Sequence, residues 1–216
     1  MTAPIVVIDY HKGNLSSVER GLVEAGGSAL VTDDPAAIAS ARALVLPGVG
    51  SFGDAMAYLR ESGQREAILS ALGRGVPFLG ICLGLQLLLE RGNETGDGSW
   101  EEGLGVVAGS ATRLESPRLK VPHVGWDQLD LTPRGRACPL FAGVAEGAHV
   151  YFTHSFALAD DVPPEVVTAR THYARSFASA VWDGANTYGV QFHPEKSSAV
   201  GLRILRNFVR LAGGAA

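Results

Sequence analysis

The stretch P-F-L-G-I-C-L-G-L-Q at residues 77–86 decides the fold, because an apolar run turns directly into a helical pattern at Cys82. Glycines two positions before and two positions after this cysteine permit a turn too sharp for larger side chains. A nucleophile elbow has this strand–turn–helix form, which holds its side chain above the sheet edge, near free backbone N–H groups. A buried structural cysteine between packing glycines fits the same ten residues. Both interpretations remain open at this point.

Outward from this turn, the first half of the chain alternates apolar runs with helical patterns. Strands are predicted at residues 5–9, 30–32, 43–46 and 77–81, and helices at about 14–25, 54–73 and 84–90. The apolar runs lack strict alternation, which is typical of parallel strands covered by helices on both faces. Asn14 or Ser16 is the candidate cap of the first helix.

The second half is richer in short segments with strand character. They are predicted at residues 151–156, 166–171, 177–182 and 188–192, and an amphipathic helix follows at 199–211. The Gly-rich, acidic residues 92–103 are predicted to form a surface loop. The expected fold class is α/β, with a mixed, largely parallel central sheet flanked by helices, in a single domain over residues 1–216.

The composition excludes several classes of protein. The 216 residues are 46% hydrophobic, enough for a full core, and a net charge of −4 argues against a nucleic-acid or membrane-surface binder. No apolar run approaches the roughly 18 residues of a membrane span, and the N-terminus lacks a signal-peptide pattern. Two cysteines without C-x-x-C spacing, Cys82 and Cys138, favour a reduced, cytoplasmic protein with no metal site and no cofactor.

A thiolate nucleophile needs a base, and the base needs a group that orients it. The alternating run Y-G-V-Q-F at 188–192 ends in His193, Pro194 and Glu195. Pro194 restricts His193 to an extended conformation, and residues i and i+2 of an extended chain share a face. Glu195 is therefore predicted to hold one imidazole nitrogen while the other faces Cys82. A solvated polar strand end is the alternative for this motif, and it weakens once an elbow cysteine is present.

Pro47, Gly48, Val49 and Gly50 end the third predicted strand. In an open parallel sheet, ligands bind beyond the carboxyl ends of the strands, so this stretch should lie beside Cys82. Its backbone is a candidate donor of an N–H group to an oxyanion, although a plain turn fits the four residues almost equally well.

Two motifs taken together, G-I-C-L-G-L-Q at 80–86 and G-V-Q-F-H-P-E-K-S at 189–197, resemble those of the triad-type (class I) glutamine amidotransferases. The resemblance covers nearly the whole chain. Further stretches narrow it to the glutaminase subunits of imidazole glycerol phosphate synthases, which act in histidine biosynthesis: I-D-Y-H-K-G-N-L-S-S-V at 8–18, L-P-G-V-G-S-F-G-D-A-M at 46–56, V-P-H-V-G-W at 121–126 and V-Y-F-T-H-S-F at 150–156. The stretch at 46–56 is the most specific, because other amidotransferases typically carry G-G-P or P-G-P there.

The resemblance implies a glutaminase in which Cys82 attacks the side-chain amide of glutamine. His193 would activate the thiol and protonate the leaving ammonia, and Glu195 would orient His193. The oxyanion hole would combine the N–H of Leu83 with an N–H from the stretch Gly48, Val49 and Gly50, after a peptide flip near Val49.

The resemblance also implies a substrate site and a partner. The residues that would hold the amino-acid end of glutamine are Gln86, Thr153, His154 and Ser155. The residues that would lie near the partner are Asn14, Trp126, Tyr151 and Lys196. That partner would be a (β/α)8-barrel cyclase subunit, which in a heterodimer would receive the ammonia and form imidazole glycerol phosphate and the purine intermediate AICAR.

Some residues depart from the family pattern. His11 and Lys12 stand where small or apolar residues are more frequent, Phe156 replaces a frequent Tyr, and Cys138 is given no role. Core packing remains the alternative for Trp126. At the level of function, the alternatives are an amidotransferase subunit for anthranilate, aminodeoxychorismate or pyridoxal phosphate synthesis, and a non-catalytic binding module on the same scaffold.

Overall fold

The central element is an eight-stranded sheet in a computed structural model of the chain, which describes residues 4–94 and 98–213. Its strands, from one edge to the other, are β2 (Ala29–Thr32), β1 (Ile5–Ile8), β3 (Leu44–Gly48), β4 (Phe78–Cys82), β14 (Thr187–Val190), β13 (Ser176–Trp182), β12 (Val167–His172) and β9 (Asp130–Leu131). The first five are parallel to one another, and the last three add in antiparallel pairs. The predicted α/β class with a mixed, largely parallel sheet is confirmed.

Among residues 4–94 and 98–213, two smaller sheets and seven α-helices surround this sheet. The smaller sheets are β8 (His123–Gln128) with β10 (His149–His154), and β11 (Phe156–Leu158), β7 (Val107–Arg113), β5 (Leu89–Gly92) and β6 (Glu101–Glu102) in that spatial order. The α-helices of the described residues are α1 (Leu15–Glu24), α2 (Pro35–Ser40), α3 (Phe52–Glu61), α4 (Gln64–Gly73), α5 (Leu83–Leu87), α6 (Pro133–Ala137) and α7 (Ser198–Gly213). None of these helices has the length and hydrophobicity that crossing a membrane requires.

The core consists of two layers of buried side chains, one on each face of the large sheet. Alternate residues of β1 enter opposite layers: Val7 packs in the layer that contains Leu22 and Phe208, and Ile8 in the layer that contains Met56. Because both faces of β1 are buried, its sequence is apolar at every position.

Several predicted element boundaries were wrong. The single helix expected at 54–73 is two helices, α3 and α4, separated at Ser62 and Gly63, where Gly63 has a φ of 76°. The short helix α2 was missed, although Asp34 caps it by accepting a hydrogen bond from the N–H of Ala36 at 2.9 Å. The helix expected at 84–90 ends at Leu87, because the chain enters β5 at once. The loop expected at 92–103 includes β6, and its residues 95–97 lie outside the described residues.

The turn at Cys82 depends on its two flanking glycines. A Cβ atom on Gly80 would lie 2.6 Å from the carbonyl oxygen of Gly84, and one on Gly84 would overlap the carbonyl oxygen of Leu46 in β3. These neighbours are backbone atoms, which cannot rotate away. The glycines therefore permit α5 to pack directly against β3 and β4, which fixes Cys82 at the turn.

We expect Gly84→Ala to lower the free energy of unfolding by about 1–3 kcal/mol or more, since the added methyl group overpacks a rigid contact. The matched control is Gly73→Ala at the end of α4, where an added Cβ meets nothing within 4 Å. That change should be neutral or stabilise by about 0.5–1 kcal/mol. Chemical denaturation of both variants measures the difference, and equal stabilities would contradict the packing argument.

Candidate active site

Cys82 is the last residue of β4 and the residue that precedes α5. Its backbone is strained, with φ 55° and ψ −108°, and the residue is buried. The parallel register of β3 and β4 places Gly48 directly opposite it. Cys82 lines an open pocket of about 300 Å³ beyond the carboxyl ends of the parallel strands. The strand–turn–helix geometry predicted from residues 77–86 is therefore present.

His193 and Glu195 form a buried hydrogen-bonded pair. Nδ1 of His193 lies 2.8 Å from Oε1 of Glu195, with side-chain exposures of 3% and 1%. The predicted contact is present, but its expected backbone geometry was wrong: residues Pro194–Lys196 form a 3-10 turn rather than an extended chain. His193 itself is extended, as a residue before proline should be, and its N–H donates to the carbonyl of Tyr151 at 2.9 Å.

The electrostatic surroundings of His193 favour its protonated form. Burial lowers the pKa of His193, but interactions with Cys82 and with Glu195 outweigh burial and raise this pKa to about 10. Nε2 of His193 has no partner within ordinary hydrogen-bond distance and angle among the described residues, although the sulfur of Cys82 is near enough to raise the pKa of His193. The two ring nitrogens of His193 therefore have different neighbours: the Glu195 carboxylate holds Nδ1, and the buried Nε2 is the nitrogen available to Cys82.

The stretch expected to form the oxyanion hole lies beside Cys82. Val49, Gly50 and Leu83 line the same pocket as the cysteine sulfur. Gly48 does not line it: a Cβ at Gly48 would lie 2.5 Å from the hydroxyl of Tyr10 and 2.7 Å from Cβ of Leu83. The end of β3 is therefore pressed against the start of α5. The exposed part of the turn begins at Val49, and Gly50 follows with a φ of 101°.

The four residues predicted to hold the substrate all line this pocket, namely Gln86, Thr153, His154 and Ser155. Gln86 is buried, and its Nε2 donates to the carbonyl of Phe156 at 2.9 Å and to Oε1 of Gln191 at 3.0 Å. Both amide hydrogens of Gln86 are therefore occupied, and its Oε1 is the atom left for a ligand. Burial lowers the pKa of His154 to about 3, so this imidazole is neutral at ordinary pH.

Glu94 is a pocket residue that the sequence did not reveal. Its Oε2 accepts a hydrogen bond of 3.0 Å from the N–H of Phe52 at the start of α3, and its side chain lines the pocket. Burial raises the pKa of Glu94 from its ordinary value, although the hydrogen bond from Phe52 opposes this change. Its place in the Gly-rich stretch 92–103 gave no signal of a pocket residue. Pro122 and Phe156 also line the pocket.

Three of the four predicted interface residues form one cluster beside the active site, in which Trp126 and Lys196 are exposed and Tyr151 is half-buried. Trp126 and Tyr151 are paired across β8 and β10 with ring centroids 6.0 Å apart, and Lys196 Nζ lies 6.0 Å from the Tyr151 ring. Trp126 is 51% exposed, so core packing is excluded as its explanation. Asn14 lies in the position before α1, and its side chain makes no capping hydrogen bond.

The residues that depart from the family pattern have definite positions. Lys12 forms an ion pair of 2.9 Å with Asp54, and its side chain runs close to Gly50 at the pocket rim. His11 packs edge-on against Tyr58. Cys138 is buried in the core, where burial raises the pKa of its thiol to about 11.

Comparison with known proteins agrees with this geometry. The family model for class I glutamine amidotransferases matches residues 6–212. The HisH subunit of imidazole glycerol phosphate synthase from Syntrophotalea carbinolica is 48% identical over 210 residues, covering 94% of this chain and 98% of its own. The HisH subunit from Moorella thermoacetica is 48% identical over 217 residues, covering 98% of each chain. A solved glutamine amidotransferase shares the fold, with a TM-score of 0.73, 20% identity and coverage of 97% and 100%.

This protein belongs to the class I glutamine amidotransferase family, as the matched family model and the strand–turn–helix cysteine together require. Within that family, the near-full-length relatives place it among the HisH subunits of imidazole glycerol phosphate synthase.

Proposed function

We propose that this protein hydrolyses glutamine to glutamate and ammonia, as the glutaminase subunit of an imidazole glycerol phosphate synthase in histidine biosynthesis. The observation that carries the proposal is the meeting of a strained, pocket-lining Cys82 with a buried His193–Glu195 pair, in a chain 48% identical to HisH subunits. Activity would require this combination, because a thiolate needs a base that a third group orients.

The chemistry follows from the positions of these three residues. The Cys82 thiol gives its proton to Nε2 of His193, and the sulfur attacks the amide carbon of glutamine to form a tetrahedral oxyanion. His193 then returns a proton to the nitrogen, the C–N bond breaks, and ammonia leaves a glutamyl thioester. His193 next removes a proton from water, whose oxygen attacks the thioester carbon. The C–S bond then breaks, glutamate is released, and the proton passes from His193 to the sulfur to restore the thiol. Glu195 holds the His193 ring throughout, and it stabilises the imidazolium whenever that form is present.

The pocket offers both hydrogen-bond acceptors and hydrogen-bond donors to the substrate. The α-ammonium group of glutamine needs acceptors, and the Glu94 carboxylate and Gln86 Oε1 are acceptors at the pocket wall. The oxyanion needs donors, and the backbone N–H groups of Leu83 and of the Val49–Gly50 turn are the candidates beside the sulfur. A pocket of about 300 Å³ suits a ligand the size of a single amino acid.

The proposed partner is a (β/α)8-barrel cyclase subunit that receives the ammonia in a heterodimer. The cluster of Trp126, Tyr151 and Lys196 supports a docking surface close to the active site, because Lys196 follows Glu195 directly. Trp126 is its large exposed aromatic side chain, and tryptophan is enriched at interface hot spots. A partner seated on this cluster would be in contact with the turn that carries the base.

The experiment is to co-purify the native partner with the tagged protein, identify it by mass spectrometry, and measure glutamate release with and without it. We expect a cyclase subunit, and a rise of glutamate release when that subunit and its nucleotide ligand are added. Equal turnover with and without the partner would contradict partner activation. If the recovered partner is instead a synthase subunit for anthranilate, aminodeoxychorismate or pyridoxal phosphate, the ammonia from this glutaminase goes to that other acceptor molecule.

A further inference from the structure

Gln191 is a fully buried amide side chain in direct contact with the nucleophile. It follows β14, where its N–H donates to the carbonyl of Ser179 at 2.9 Å. Its Nε2 lies 3.6 Å from the sulfur of Cys82, which is a hydrogen-bonding distance for a sulfur acceptor. Burying an amide costs free energy unless its polar atoms are paired, so this contact is part of what makes the burial possible.

The orientation of the Gln191 amide is fixed by a chain of hydrogen bonds that begins at a backbone carbonyl. The carbonyl of Phe156 can only accept, so the group of Gln86 that faces it must be the NH2 group. The second hydrogen of the same NH2 group points to Gln191, which must present its oxygen there. The NH2 group of Gln191 is left to face Cys82. The sulfur therefore meets a donor rather than a carbonyl oxygen.

The register of β14 against β4 explains why the residues after β14 lie near the sulfur. Val190 is paired with Ile81, so Gln191 follows β14 at the level where Cys82 ends β4, and His193 lies two residues further on. One strand end thereby delivers both a proton acceptor and an amide donor to the nucleophile.

We propose that Gln191 is a further catalytic residue, whose side-chain N–H donates to the Cys82 sulfur and stabilises the thiolate. This inference rests on the proposed glutaminase function. Hydrogen bonds to an ionised acceptor are stronger than those to a neutral one, so the contact favours the thiolate over the thiol. It acts before the attack on glutamine and again when the thiolate leaves the thioester carbon. The Phe156–Gln86–Gln191 chain keeps the donor directed at the sulfur.

The titratable groups that interact electrostatically with the sulfur include His193, from the turn after β14, and Tyr10, which follows β1. His154 and Glu94 are the other titratable residues of the pocket that Cys82 lines. Burial, and to a lesser degree Cys82, raise the pKa of Tyr10 well above its ordinary range, so Tyr10 stays neutral. Thr153 contributes its carbonyl oxygen, 3.9 Å from the sulfur, and carries no charge. His193 is therefore the neighbour whose own titration also shapes the pH profile of Cys82. The effect of Gln191 is the difference between two proteins that both contain His193.

The test compares Gln191→Met with the wild-type protein in the pH dependence of Cys82 alkylation by iodoacetamide, followed by peptide mass spectrometry. Methionine keeps the size of the side chain but removes the donor. Below the midpoint of the profile we expect alkylation about tenfold slower or more, with the midpoint moved to higher pH. The matched control is Gln64→Met, because Gln64 is equally buried and donates to the carbonyls of Asp9 and Asp33 instead. The control should lose stability and keep the wild-type midpoint.

A second variant, Gln86→Glu, tests the orientation without touching Gln191. A carboxylate at position 86 accepts from the Gln191 NH2 group, so the amide turns and presents its oxygen to the sulfur. We expect the same upward shift of the alkylation midpoint, and no added shift in the double variant. A wild-type midpoint in folded Gln191→Met, or in Gln86→Glu if the first variant does not fold, overturns the inference. Failure of the proposed glutaminase function can be told apart from failure of this inference. In that case the wild-type protein itself would release no glutamate, whatever the alkylation midpoints are.

Discussion

Replacing Cys82 with alanine is expected to lower glutamate release by about 10⁴-fold or more, in the presence of the partner and its nucleotide ligand. The reason is that the sulfur forms the bond to the substrate, and no side chain of the site can take its place in the thioester. The strained backbone at Cys82, with φ 55°, presents this side chain to the pocket. An enzyme-coupled assay of glutamate, with the partner held in excess, measures the loss.

The matched control is Cys138→Ala, which removes the other thiol of the chain. Cys138 lies in the core and not among the residues that line the pocket, so its variant should keep glutaminase activity within about twofold. Removing a buried atom still costs stability, and a small decrease in melting temperature is expected. Activity retained in folded Cys82→Ala would refute the thioester mechanism, whereas loss in both variants would point to a general defect of folding.

The catalytic candidates were readable from the sequence because their geometry is local. Glycines on both sides of Cys82 report a sharp turn, and Pro194 holds His193 extended whatever the rest of the chain does. Even here the local argument was incomplete. Glu195 reaches His193 through a 3-10 turn, not along an extended strand, since the chain turns immediately toward α7.

The sequence did not predict Glu94 and Gln191 as site residues, because their roles depend on elements that are distant along the chain. Glu94 stands in an acidic, Gly-rich stretch that resembles a surface loop, and its position becomes clear once the fold brings Phe52 and the start of α3 beside it. Gln191 is one polar residue in the strand predicted at 188–192, and in the structure it follows the end of β14 at Val190. Its alternation with His193 was a signal, but the direction of its amide depends on a carbonyl 35 residues before it, at Phe156.

The structure also changes what Gln86 is expected to do. The family resemblance made it a substrate-binding residue, and its place in the pocket wall agrees with that. Both hydrogens of its amide, however, are bound within the protein, so it can offer the substrate an acceptor and not a donor. This assignment suits an ammonium group and not a carboxylate. One side chain thus joins the substrate end of the pocket to the environment of the sulfur.

Replacing Glu195 with glutamine is expected to lower kcat/KM for glutamine by about 100-fold or more, since an oriented acid–base group contributes on that scale. In the wild-type protein, interactions with Cys82 and Glu195 raise the pKa of His193 to about 10 against the opposing effect of burial. A neutral amide removes one of these interactions, so the pKa of His193 must fall. It also offers Nδ1 a choice between an oxygen and an NH2 group, which weakens control of the tautomer.

The sign of the pH effect follows from that direction. Protonated His193 is present below its pKa and is lost as pH rises through it, so the alkaline limb of kcat/KM should move to lower pH in Glu195→Gln. The matched control is Glu24→Gln, because Glu24 is an exposed carboxylate that lines the groove behind Glu195. It removes the same charge without contacting the imidazole, and it should leave the limb in place. An unshifted limb in Glu195→Gln would mean that Glu195 orients His193 without stabilising its charge, and the activity loss would then be geometric alone.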